Sequence, residues 1–223
     1  MSWSSDVPVS HGTLPGRRTA VVLALWFLAI VIGNETRLLW PAPGGPPVGL
    51  LVAIAVPVTL FALAYRFAPA FRDFVLGLDL RFLTATMAWR VIGGSFIVLY
   101  AQGLIPGVFA YPAGLGDISV GAFAVFALMA LLRATPGWQQ RLFWLNVFGL
   151  IDFAAAVGTG VLAGDGPIGL LRGPVSMAAI ETFPLNLIPT FAVPLWTLVH
   201  MAALLQLRAL SAQDGATFRP APA

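Results

Sequence analysis

The chain has 223 residues and carries twelve basic against nine acidic side chains, a formal charge of +3, with 59% hydrophobic and only 9% charged residues and a mean hydropathy of +0.89. A pI near 10.2 invites a nucleic-acid reading, yet the arginines stand singly or in one pair, so they read as membrane topology and not as a phosphate-binding face. There is no cysteine and no lysine, which excludes disulfides, thiolate metal sites, iron-sulfur clusters and any Schiff base on a lysine amine.

Residues 1–18 form a polar N-terminal tail that holds His11. His200 is the other histidine of the chain, which argues against a bis-histidine haem. Arg17 and Arg18 before an apolar run resemble the start of a signal peptide, with Val31-Ile32-Gly33 as a poor cleavage site. We read this run instead as a first spanning helix, Thr19 to about Leu39, because later spans anchor the protein regardless. A turn-rich segment, Pro41 to Pro47, leads to a second span, Val48 to Tyr65, in which Pro57 should kink the helix.

Residues 67–80 mix Phe71, Phe74, Val75 and Leu78 with Arg72, Asp73 and Asp79, a pattern that predicts one short interfacial helix. The third span runs from Phe82 to about Gly103 and leads into Leu104 to Pro112, read as a proline-broken link. The fourth covers about Ala113 to Leu132, the fifth Leu142 to Leu162, and the sixth about Pro184 to Leu207, with a loop at 163–183. Leu104-Ile105-Pro106 and Leu187-Ile188-Pro189 open two similar proline-rich stretches, which raises a duplicated helical hairpin as an alternative to coincidence.

The fold class that emerges is an all-α polytopic helical bundle of about six transmembrane helices, some broken by proline. Residues 19–208 form a single domain, followed by a disordered cytoplasmic tail over 209–223. With both termini inside, nine arginines fall on the cytoplasmic side and two, Arg37 and Arg172, opposite, leaving Arg90 within the bilayer. That asymmetry predicts insertion in the cytoplasmic (inner) membrane with both termini cytoplasmic. Trp40, Tyr65 and Trp138 near span ends are expected to be interfacial anchors.

Charged groups inside a bilayer cost at least ~2.5 kcal/mol each and are usually paired or set in a cavity. Arg90, Asp117, Asp152 and His200 are such groups. Counting helical rise from the nearest cytoplasmic arginine puts Arg90, Asp152 and His200 at one level, ~12–17 Å up, and Asp117 further out at ~24 Å. Asp117 is therefore expected to lack a cation at its own depth and to exchange a proton. Arg90 and Asp152 are expected to meet, either as a structural ion pair or as part of a functional cavity.

Polar or small residues recur at helical spacing beside these groups: Asn186, Thr190, Val193, Thr197 and His200 on the sixth span, and Asn146, Gly149, Asp152, Ala156 and Thr159 on the fifth. Such faces point at other helices. Asp117, Asp152 and His200 are thus the candidate catalytic or proton-handling residues, and Arg90, Asn146, Asn186, Thr190 and Thr197 the candidate substrate or proton pathway. The aspartates and His200 are chemically acceptable to a metal, but no fixed-spacing metal motif, Walker loop or dinucleotide glycine pattern occurs, so no metal and no cofactor is assigned. The leading expectation is a small proton-linked transporter or channel-like carrier. Two alternatives are a membrane-embedded enzyme on a lipid or isoprenoid using Asp acid/base chemistry, and a non-catalytic subunit of a membrane complex. Membrane lipids are the expected partners, with a membrane-protein partner or homo-oligomer left open and no nucleic acid.

Overall fold

In a computed structural model, residues 12–40 and 45–217 are described; His11, the turn residues Pro41, Pro43 and Gly44, and Arg219 lie outside them. The elements are α1 (Arg17–Glu35), α2 (Val48–Phe67), α3 (Pro69–Gly77), α4 (Leu80–Met87), a 3-10 segment (Ala88–Gly94), α5 (Ser95–Ala101), α6 (Gly107–Leu132), α7 (Trp138–Ala163), a π turn (Ile188–Ala192) and α8 (Val193–Thr217). Among the described residues the fold is all helical, with no strand beyond one isolated bridge between Thr13 and Leu78. Six helical stretches among the described residues are long and apolar enough to cross a membrane. Four of them coincide with α1, α2, α6 and α7, and two are composite, Leu80–Ala101 and Ile188–Ala212.

Each composite stretch changes helical type where the sequence is weakest for an α-helix. Gly93 and Gly94 end the 3-10 segment, and Pro189, which lacks an amide hydrogen, sits in the π turn. The segment 104–112 is the reverse case. Expected as a broken link, it is helical from Gly107 on: Pro106 occupies the N-cap, and Pro112 lies inside α6, where it leaves the Val108 carbonyl without its i+4 amide donor.

The short helix at 67–80 is present as α3, and its residue Val75 is fully buried. It ends at Leu78, and Asp79 caps the next helix through hydrogen bonds accepted from the Arg81 and Phe82 amides at 2.7 and 3.1 Å. Buried Gln206 on α8 donates to the Val75 and Leu78 carbonyls at 2.8 and 3.0 Å, tying α8 to the α3–α4 turn.

We call the end at which α1 begins the near end and the opposite one the far end. Near the first lies a continuous apolar core of Leu80, Met87, Val120, Ala124, Leu131, Trp138, Leu142, Leu145, Ala203 and Leu207. Trp138 belongs to this core and is fully buried, and Trp40 at the far end is also buried, so neither is the exposed anchor that its position in the sequence suggests. A second cluster, Phe96, Ile105, Phe109, Ala113, Ala156 and Met177, packs the far end.

Candidate functional site

The site is built around Arg90, which the 3-10 segment turns into the bundle with only 1% of its side chain exposed. Its Nε donates to Asp117 Oδ1 on α6 at 2.7 Å, and its Nη2 donates to Asp152 Oδ2 on α7. Nη1 donates to the Gly149 carbonyl at 3.2 Å and lies 3.1 Å from His200 Nε2 on α8. The Phe153 ring covers the guanidinium, its centroid 3.7 Å from Cζ. Four helical stretches therefore meet on one planar cation.

Hydrogen bookkeeping assigns the histidine. Nη1 of Arg90 can only donate, so the His200 Nε2 that faces it accepts and carries no hydrogen. His200 Nδ1 must then be the donor, and it faces Asn146 Oδ1 at 2.9 Å. Asn146 is oriented in turn by its Nδ2, which donates to the Leu142 carbonyl at 2.7 Å. His200 is thus a neutral acceptor that helps hold Arg90, and Asn146 fixes its tautomer. The three side chains weighed above as a metal set converge on the guanidinium, which already occupies the space between them. Arg90 supplies one positive charge against two carboxylates, a formal charge of −1 when both are ionised.

The expectation that Asp117 stands alone is wrong, and the reason is geometric. Close approaches of Gly93 to Asp117, Ile97 to Gly114 and Val91 to Gly121 set the antiparallel register of the third stretch against α6. Carried back, that register puts Arg81 opposite roughly Met129, so Arg133 extends about one turn, ~6 Å, beyond it. The three residues from Arg90 to Gly93 account for another ~4–5 Å, which the long arginine side chain spans. Depths counted from flanking arginines assumed flush helix ends.

Small residues make the convergence feasible. A Cβ on Gly93 would overlap the Asp117 carboxylate, one on Gly116 would overlap the Asp152 carboxylate, and one on Gly149 would overlap the His200 ring. Backbones come close enough for short polar side chains to reach a shared cation only because these positions are bare.

Beside Arg90 and Asp117 a cavity of about 470 Å³ opens toward the far end. Asp117 keeps 15% of its side chain exposed and lines this cavity, whereas Asp152, at 5%, and His200 lie behind the guanidinium and do not. Aromatic rings form much of the wall, among them Trp40, Trp89, Phe96, Phe153 and Trp196. Trp89 and Ile92 are largely exposed as well, so the cavity reaches the flank of the bundle. Arg37, Asp165 and Glu181 stand at its far-end rim. Burial, reinforced by the Asp165 charge and opposed by Arg37, holds the Glu181 carboxyl above its ordinary pKa.

The remaining pathway residues separate from this centre. Trp40 Nε1 donates to Asn34 Oδ1 at 2.7 Å, Asn34 Nδ2 donates to Thr190 Oγ1 at 3.1 Å, and Thr190 Oγ1 donates to the Asn186 carbonyl at 2.6 Å. Thr190, with the Asn186 backbone carbonyl, thus belongs to a second buried chain that fastens the end of α1 to the π turn, while the Asn186 side-chain Oδ1 is buried without a partner among the described residues. Thr197 joins neither, its hydroxyl bonding to Val193 O of its own helix at 2.8 Å. Sequence reasoning missed Asn34 as Thr190's partner and Phe153 as the lid on the guanidinium. An asparagine in the last turn of an apolar helix was the available sign of the first, and for Phe153 there was none beyond adjacency to Asp152.

Residues 47–208 match a family described as a domain of unknown function, DUF8737, and the chain belongs to that family. The match spans every stretch that contributes to the Arg90 centre. No curated protein and no solved structure matches the chain.

Proposed function

We propose that this DUF8737 member is a small proton-linked carrier, embedded in the cytoplasmic membrane with both termini inside, and that Asp117 is its exchange site. One observation carries the reading: Asp117 faces a cavity while sharing a single arginine with a second carboxylate. A net charge of −1 in apolar surroundings is costly, and one proton or one bound cation relieves it. Asp152, His200 and Asn146 keep Arg90 in place on the side away from the cavity, so that Asp117 is the carboxylate able to exchange. The apolar near-end core closes the path beyond the site, as a carrier open to one side requires. Nine arginines against two support the orientation.

The test is proton flux in proteoliposomes with an imposed pH gradient. Wild type dissipates the gradient in a substrate-dependent way, and Asp117→Asn, folded by thermal melt, does not. Undiminished flux through Asp117→Asn would remove that residue and the reading with it.

The enzyme alternative draws on one separate observation, the cavity's opening at the exposed Trp89 and Ile92 on the flank, where an amphiphile could enter from lipid. Its signature is a lipid product formed by the purified protein and lost in Asp117→Asn without any flux.

A further inference from the structure

Building on Asp117 as the exchange site, we propose that the cavity binds organic monovalent cations with an apolar body, and that such a cation and a proton compete for Asp117. The sign of the ligand's charge follows from what is accessible. Arg90 is 1% exposed, four of its five N–H groups are engaged, and one face lies under Phe153. An anion therefore cannot reach this positive charge without displacing Asp117. Asp117 does face the cavity, and it commits one oxygen to Arg90. Trp89, Phe96, Phe153 and Trp196 line the space around it, and aromatic faces attract cations most strongly when water is excluded.

The surrounding charges agree. Asp117 is the only charged residue within α6. Facing it are Arg90 from the 3-10 segment and, through Arg90, Asp152 of α7 and the neutral His200 of α8. At the rim Asp165 lies 3.7 Å from Arg172, and Glu181 adds a further carboxylate opposite Arg37. The cavity's charged lining sums to −1: Arg37 and Arg90 against Asp117, Asp165 and Glu181. Its volume, about 470 Å³, is that of a site for a drug-sized molecule.

Tetraphenylphosphonium and tetraphenylborate share size and shape and differ in charge, so they isolate the claim. Binding of each is measured to the full chain in lipid nanodiscs, with empty nanodiscs subtracted. The phosphonium should bind saturably and the borate should not, and Asp117→Asn should weaken phosphonium binding about tenfold or more, ~1.4 kcal/mol. In wild type, lowering the pH should weaken it too, since a proton on Asp117 excludes the cation, a readout that needs no variant to fold. Saturable borate binding of equal strength, or phosphonium binding indifferent to both pH and Asp117→Asn, overturns the proposal. The two readings fail separately. Phosphonium binding without proton flux leaves the ligand class standing and removes the carrier, while Asp117-dependent flux without phosphonium binding does the reverse.

Discussion

The near and far ends of this bundle use the same long helices for opposite purposes. At the near end α4, α6, α7 and α8 interlock through Leu, Ala and Trp side chains that are almost wholly buried. At the far end α6, α7 and α8 part around a cavity, and a π turn and the Trp40–Asn34–Thr190 chain hold the edges. Arg90 sits between the two regimes. The contrast teaches that packing alone suffices where nothing must enter, whereas the open end needs directional polar contacts to keep its shape.

If that division is right, the largest loss comes from removing the cation that joins the halves. Arg90→Gln leaves the buried Asp152 and the half-buried Asp117 carboxylates uncompensated and should cost about 3–5 kcal/mol in reversible unfolding. Adding Asp117→Asn and Asp152→Asn should recover most of that stability without restoring cation binding. A stable Arg90→Gln single variant would break the comparison at its centre.

Next in size, Leu142→Ala in the near-end core should cost about 2–5 kcal/mol, since Leu142 is fully buried and its neighbours cannot all collapse onto the void. Phosphonium affinity should be unchanged in the folded fraction. Val157→Ala, on the cavity wall, only enlarges an existing space and should cost well under that. Equal losses at the two positions would mean that the ends are packed alike.

Gly116→Ala should be somewhat milder, about 1–3 kcal/mol, because Asp152 must shift to admit the methyl group. Its thermal melt should fall together with the Arg90 contact.

How much of this was legible beforehand differs between the two ends as well. The long apolar stretches and the identity of Arg90, Asp152, His200 and Asn146 as buried groups follow from cost: charged or polar side chains amid apolar helices need partners, and helical spacing gives their faces. The Arg90–Asp117 pair was not legible. It depends on the stagger between the third stretch and α6, which glycine contacts set in three dimensions and which no flanking charge reports. Thr197 fits the spacing of its stripe equally well, yet its hydroxyl is satisfied within its own helix. Trp138 likewise has the composition of an anchor and the location of a core residue.

The smallest expected effect is at the rim. The Glu181 carboxyl has a folded pKa above its unfolded one, so ionising it costs the folded state, and that cost sets in as pH rises from the unfolded value through the folded one. Glu181→Gln should therefore be neutral at low pH and slightly stabilising at neutral pH, with the effect reduced by solvent at this half-buried position. Melting curves at pH 4 and 7 check the sign.

Thiol chemistry shows whether an accessible far-end cavity stops at Arg90 and Asp117, because the chain has no cysteine to remove. Val157→Cys and Leu145→Cys are each exposed to a water-soluble, positively charged thiol reagent in sealed vesicles and after permeabilisation. Val157→Cys, on the cavity wall, should react, and tetraphenylphosphonium should protect it, whereas Leu145→Cys in the near-end core should stay unlabelled in both preparations. Equal labelling at the two positions, or none at Val157→Cys in either preparation, would contradict the account.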